Sequence, residues 1–269
     1  MIPALLAALA LAQQPVCSPP PHAELLWANP ETRFGFIGET HGTNETPAAF
    51  AEIVCEASAT RPVVVALEMP EAMQPDLDVW MASDGGAAAR NTLLNHDYWI
   101  VDHADGRSSH AMFAMLERLR ALKSAGRDLT LRAWQPNIVR PPGFDQSYWE
   151  IGMADRLVQA AYSRPNAYVL VLGGSNHARK TISERYGFLF AAGHLKTTTV
   201  VSIRVALQGG RTWACFGDSP CGDSDLGPAE FDSARRGVVL EPQEEGAFDG
   251  LLALGPSTAS APARVIAAP

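Results

Sequence analysis

Four short apolar runs recur along the chain and limit the folds that are open to it. Each is long enough for one buried strand, and they lie at residues 33–38, 62–67, 129–134 and 166–172. Segments that predict helices alternate with them, at residues 47–57, 71–82, 109–125, 148–162 and 176–185. Alternating strands and helices are typical of an α/β fold, so we expect a mainly parallel sheet with helices on both faces.

The pattern changes after the fourth strand. Residues 198–206 and 211–216 flank Gln208-Gly209-Gly210 and predict a hairpin, which would form a C-terminal antiparallel extension at one edge of the sheet. Because no internal repeat and no linker-like stretch interrupts the pattern, residues 33–255 are interpreted as a single α/β domain.

Both ends of the chain differ in composition from this domain. Residues 1–12 are apolar and close on Ala-Leu-Ala, a small-residue cleavage pattern that predicts a signal peptide. A Pro-rich leader at 13–32 follows, and the Pro-, Ala- and Ser-rich residues 256–269 predict a flexible tail. We therefore expect a periplasmic or secreted protein without a transmembrane helix, since no apolar run reaches the ~20 residues that span a bilayer.

The four cysteines also favour an oxidising compartment, because an even number behind a signal peptide predicts disulfides. Cys215 and Cys221 bracket a turn containing glycine and proline that would bring their sulfurs together. Cys17 lies in the Pro-rich leader, which a disulfide would attach to the domain, and Cys55 is its expected partner. The alternative is buried free thiols, for Cys55 on its helix face especially.

Polar residues directly follow each of the four strands. They lie in the sequences GETHGTNE, EMP, QPN and GSNHARK, which begin at residues 38, 68, 135 and 174. Open parallel sheets bind ligands at the carboxyl ends of their strands, so we expect these residues to share one site. Two carboxylates and two histidines stand out, and the predicted catalytic residues are Glu39, His41, Glu68 and His177.

Each of these side chains also has a structural interpretation. Glu39 would cap the helix that follows, and Glu68 would form a salt bridge to an arginine. His177 opens the predicted helix at 176–185, and a helix N-terminus disfavours the imidazolium, so His177 would stay neutral and act as base or ligand. Its structural alternative is a helix cap or a core histidine.

Further polar and aromatic residues near these strand ends are candidates for substrate binding. They are Glu45, Trp99, Arg107, Asn176 and Arg179, and the segment around Trp99 also contains His103. A formal net charge of -8 without a basic cluster argues against nucleic acid and anionic membranes as partners. The nucleotide-binding glycine motifs, HExxH and GxSxG are missing from the sequence, which leaves nucleotide binding, zincin chemistry and a serine-hydrolase elbow unsupported.

The sequence Gly38-Glu39-Thr40-His41-Gly42, the acid in Leu67-Glu68-Met69-Pro70 and the later Gly173-Gly174-Ser175-Asn176-His177 together resemble the erythromycin esterase/ChaN-like superfamily, which includes the TraB/Tiki proteins. Trp99 followed by Asp105-Gly106-Arg107 is also similar to that group. The resemblance implies an α/β fold with two Glu–His clusters in one cleft. It also implies a choice of chemistry, since erythromycin esterases hydrolyse a lactone, Tiki-type members resemble metal-dependent proteases, and ChaN-like members bind haem.

The first hypothesis is a periplasmic hydrolase acting on a small-molecule or peptide substrate. His41, oriented by Glu39, would take a proton from water, and Glu68 would hold that water or stabilise a cationic histidine. His177 would act as acid or oxyanion donor, helped by Asn176 or Arg179. In a metal-dependent version a divalent ion would be bound by His41, His177, Glu39 and Glu68.

The second hypothesis is a haem- or metal-cofactor-binding protein without catalysis, with His41, His177 or Met69 as a haem ligand. A third is a domain that only binds a partner. Neither the composition nor the motifs choose among these three.

Overall fold

The computed structural model describes residues 15–100, 105–137, 142–215 and 220–264. The predicted signal peptide at 1–12 and His103 lie outside the described residues. The strands are β1 (Phe34–Glu39), β2 (Val63–Pro70), β3 (Leu129–Gln135), β4 (Tyr168–Gly174), β5 (Val200–Val205), β6 (Arg211–Ala214), β7 (Gly222–Asp225), β8 (Gly237–Val239) and β9 (Gly250–Ala253). The α-helices are α1 (Glu45–Ala57), α2 (Gln74–Ala82), α3 (Ala87–Leu94), α4 (His110–Ser124) and α5 (Ser147–Ser163).

A mainly parallel sheet forms the centre of the molecule. Its strand order within the described residues is β3-β2-β4-β1-β5-β9-β8. All neighbours in it run parallel except β8 and β9, which pair antiparallel at one edge. The predicted α/β class, with an antiparallel addition in the C-terminal part, is confirmed.

Helices cover both faces of this sheet, because the strand side chains alternate between two apolar cores. Ile37 of β1 belongs to the larger core, which takes in buried residues of α1, α2, α3 and α4. Phe34 and Phe36 of the same strand belong to the second core, against α5. The interior strands β1, β2 and β4 are buried along almost their whole length, as their continuous apolar sequences require.

The predicted hairpin at 198–216 is wrong. β5 pairs with β1 and β9 in the central sheet, whereas β6 pairs with β7 in a separate two-stranded antiparallel sheet. Gly209 and Gly210 have φ values of 80° and 100°, and Gly210 pairs with Ser257 rather than closing a tight turn. The partners of β5 and of Gly210 are therefore distant segments of the chain, whereas β6 pairs with the next strand.

The predicted helix at 176–185 is also wrong, because distant groups take the carbonyl oxygens that it would need. The His177 oxygen accepts from the Ala192 amide at 2.9 Å, and the Ala178 oxygen accepts from the Ser202 hydroxyl. Conversely, α3 forms in a stretch where the sequence predicts no regular element.

Both flanking segments are attached to the domain where they are described. Cys17 is bonded to Cys55 of α1, and Cys215 is bonded to Cys221, so both expected disulfides are present. Residues 256–264 hydrogen-bond to the loop after β1 and to the start of α4. Within the described residues, no helix combines the length and apolar character needed to cross a membrane.

Candidate active site

The carboxyl ends of β1, β2 and β4 bring four predicted side chains together. β4 lies between the other two strands, and its last residue, Gly174, is opposite Glu39 of β1. A Cβ at Gly174 would lie 3.0 Å from His41 Nε2, and one at Gly173 would lie 3.1 Å from Glu68 Oε2. The two glycines therefore leave room above β4 in which side chains from its neighbours meet.

Glu39 and His41 form a hydrogen-bonded pair at the end of β1. The His41 Nδ1 lies 3.0 Å from Glu39 Oε1, and the carboxylate is only 4 % exposed. The opposite ring nitrogen, Nε2, lies 3.8 Å from Glu68 Oε2, beyond hydrogen-bond range. One imidazole nitrogen is therefore held by a buried carboxylate, and the other faces a second carboxylate across a gap.

Glu68 is the common centre of the cluster. Its Oε2 accepts from the Gly174 amide at 2.6 Å, and its Oε1 accepts from Gln135 Nε2 at 3.1 Å and from an Arg107 nitrogen at 3.3 Å. His177 Nε2 lies 3.6 Å from Oε1. The arginine partner expected from the structural interpretation of Glu68 therefore exists, but it lies beside two histidines rather than replacing them.

Glu150 of α5 completes the site, and the sequence analysis missed it. Its Oε2 lies 2.8 Å from His177 Nδ1 and accepts from the Ala191 amide at 3.1 Å. The side chain is fully buried. A signal was present, because Glu150 stands in register with Met153, Ala154 and Leu157 on the apolar face of its helix. A carboxylate on such a face needs a buried partner.

The cluster keeps Glu68 ionised and His177 protonated. Burial opposes both charges, but the two imidazoles and Arg107 hold the pKa of Glu68 far below its ordinary value. Burial is likewise outweighed at His177, where the charge of Glu68 and the hydrogen bond to Glu150 raise the pKa to about 10. Because no helix begins at His177, the dipole expected to keep it neutral is missing.

His41 shows the same balance of effects. Burial disfavours the imidazolium, yet the charge of Glu68 and the hydrogen bond to Glu39 raise the pKa of His41 above its ordinary value. Arg107, which is ion-paired with Asp105 at 2.7 Å as well as with Glu68, acts in the opposite direction.

A cavity of about 400 Å³ opens beside this cluster. Its lining side chains are Glu68, Arg107, Gln135, Gln146, Trp149 and His177. No serine or cysteine is among them within the described part of the chain, which favours direct attack by water over a covalent acyl intermediate on such a residue.

Of the five predicted substrate-binding residues, only Arg107 belongs to this cavity. Trp99 is 1 % exposed and packs edge-to-face against Phe113 in the core. Glu45 accepts from the amide and hydroxyl of Thr258. Asn176 and Arg179 line a separate open groove, and Arg179 is ion-paired with Glu244. The side chain that hydrogen-bonds to His177 is therefore Glu150, and not the expected Asn176 or Arg179.

The cluster does not fit the proposed divalent metal as it is arranged. No group of three or more His, Cys, Asp or Glu side chains among the described residues is placed to hold a metal ion. Arg107 already supplies a cation next to Glu68. As a haem ligand, Met69 is unsuitable because it is fully buried in the core.

No protein-family model matches the chain, and no curated protein matches it by sequence. Two solved structures share its fold. A succinoglycan biosynthesis protein aligns with a TM-score of 0.64 at 11 % identity, over 88 % of this chain and 91 % of its own. An open conformation of a variant of the erythromycin esterase EreC aligns with a TM-score of 0.60 at 12 % identity, over 89 % of each chain. The resemblance noted in the sequence is thus matched in fold, at low sequence identity.

Proposed function

We propose that this protein is a periplasmic or secreted hydrolase that cleaves an ester or lactone with a water activated by His41. One observation carries the proposal, namely that two carboxylate–imidazole pairs, Glu39–His41 and Glu150–His177, converge on the carboxylate of Glu68. The fold similarity to an erythromycin esterase and the two disulfides of the chain support the activity and the compartment, respectively.

His41 is the general base in this proposal. Its Nδ1 donates to Glu39, which leaves the lone pair of Nε2 facing Glu68 Oε2 across 3.8 Å. Two acceptors this close need a donor between them, and a water that donates to both satisfies them. His41 Nε2 takes a proton from this water as its oxygen attacks the substrate carbonyl, forming a tetrahedral oxyanion.

His177 supplies the positive partner of this step. Held protonated by Glu68 and Glu150, its Nε2–H donates to the oxyanion and then to the departing alcohol oxygen. The carbon–oxygen bond of the ester breaks, the alcohol leaves with a proton, and the carboxylic acid remains. Glu68 does not act as a base, because its pKa lies too low for it to accept a proton near neutrality.

The test is hydrolysis by the purified protein of a panel containing 4-nitrophenyl acetate, a macrolactone and an unstructured peptide. We expect turnover of the ester or the lactone, and a loss of kcat of about 100-fold or more in His41→Gln, the usual effect of removing a general base. Glu39→Gln should lower kcat less. His22→Gln, at a histidine 67 % exposed, is the matched control.

Three results would contradict the proposal. They are full activity in His41→Gln, turnover of the peptide alone, and an activity that a chelator abolishes and a divalent metal restores. The last result would instead support the metal-dependent version of the hydrolase that the sequence also allows.

A further inference from the structure

Two carboxamide groups of the cavity have their orientation fixed by carboxylates. The nitrogen of Gln135 donates to Glu68 at 3.1 Å, and the nitrogen of Gln146 donates to Glu150 at 3.1 Å. A flipped amide would place oxygen against oxygen in either pair, so the assignment follows from the partners. Each side chain therefore turns a carbonyl oxygen away from its carboxylate.

Within the described residues neither of these two oxygens accepts a hydrogen bond, although both side chains line the cavity. Their positions differ, since Gln135 ends β3 and Gln146 immediately precedes α5. Substrate groups that satisfy both oxygens must be hydrogen-bond donors at two separate points around the reacting carbonyl.

The rest of the lining is aromatic or charged. Besides the His177 imidazole, Trp149 contributes the one aromatic ring among the lining side chains given above, and no aliphatic side chain is among them. An aromatic ring and amide oxygens together suit a molecule with C–H faces and several hydroxyl groups. A peptide would also offer N–H donors, but its apolar side chains would require apolar recesses, and the lining has no aliphatic side chain.

We propose that the substrate is an ester of a polyhydroxylated, sugar-like alcohol, whose hydroxyl groups donate to Gln135 Oε1 and Gln146 Oε1 while its ring lies against Trp149. This inference rests on the proposed hydrolase activity and names the substrate class for the same cavity. The bond cleaved is the acyl–oxygen bond, so water yields the free sugar and the acid.

The experiment compares two acetates of primary alcohols on six-membered rings, glucose 6-acetate and cyclohexylmethyl acetate. We expect the wild-type kcat/KM to be higher for the sugar ester by about tenfold or more. Gln135→Leu and Gln146→Leu each remove one acceptor and should lower this ratio about three- to tenfold. Gln159→Leu is the matched control, because Gln159 lies exposed on α5 and its side chain hydrogen-bonds, among the described residues, only to Asp155.

The outcomes separate this inference from the proposed activity. Equal rates on both acetates overturn the substrate class and leave the hydrolase intact. If neither acetate is cleaved, turnover of the first panel decides the hydrolase, and binding of methyl glucoside measured by saturation-transfer NMR decides the inference. Binding that weakens in Gln146→Leu but not in Gln159→Leu supports it, whereas no binding overturns it.

Discussion

The Nδ1 atom of His177 lies 2.8 Å from Oε2 of Glu150, a fully buried carboxylate on the apolar face of α5. The pair joins the turn that follows β4 to helix α5. Breaking such a pair leaves an uncompensated buried charge, so its two members constrain one another strongly. The protonation of His177 is therefore set by the packing of a helix as well as by the strand ends.

The activity should depend on pH with two limbs. At low pH His41 is protonated and cannot act as base, so kcat/KM should rise with pH around a value above the ordinary 6.5. At high pH His177 loses the proton that it donates, so kcat/KM should fall near pH 10. Ester hydrolysis measured from pH 5 to 11 tests this, and a profile that is flat above pH 7 contradicts it.

Glu150→Gln should move the alkaline limb alone. The amide keeps the shape of the side chain but removes the negative charge beside His177, and one such charge shifts a neighbouring pKa by about 1 to 3 units. We expect kcat/KM to begin falling at correspondingly lower pH, with the acid limb in place. NMR titration of His177 provides an independent reading. Glu184→Gln, at an exposed carboxylate, is the control and should leave both limbs unchanged.

Strand polarity explains how much of this site the sequence predicts. Glu39 ends β1 and Glu68 lies near the end of β2, and parallel strands bring such residues to one edge. The sequence does not predict Glu150 as a site residue because it lies within a helix. The helical pattern places Glu150 on the buried face, but it does not show that this face meets His177. The hairpin predicted around Gly209-Gly210 does not form. Glycine pairs favour tight turns locally, whereas here Gly210 pairs with Ser257, far along the chain.

Gly42→Ala should disturb the loop that carries His41. Gly42 has a φ of 74°, and an added Cβ would collide with the backbone oxygen of Trp213. We expect lower kcat/KM and a loss of stability greater than the ~1–2 kcal/mol that the left-handed conformation alone costs. Gly126→Ala is the matched control, since Gly126 has a φ of 91° and no atom within 4 Å of an added Cβ.

Urea unfolding and ester hydrolysis should separate these two glycine variants. Gly126→Ala should lose about 1–2 kcal/mol and keep its activity. Equal losses of stability, or unchanged kcat/KM in Gly42→Ala, would show that the loop tolerates displacement.

The two disulfides should contribute unequally to stability. Cys17–Cys55 closes a sequence separation of 38 residues, and Cys215–Cys221 closes one of 6. Chain entropy alone predicts losses of about 4 and about 2 kcal/mol when they are removed. Cys17→Ala and Cys215→Ala test this by urea unfolding, since Cys55 then stays in the core as a thiol. A larger loss in Cys215→Ala would contradict the entropic account.

The segment at 256–264 has a practical consequence for anyone handling this protein. Ser260 donates its amide to the Gly42 oxygen at 2.8 Å, and Thr258 hydrogen-bonds with Asn44 and Glu45 in the same loop. Proteolytic trimming after Gly255, or an affinity tag that pulls this stretch away, would weaken the support of the loop that carries His41, the proposed general base. Preparations that contain a mixture of C-terminal truncations should accordingly vary in specific activity, while their overall secondary structure stays the same.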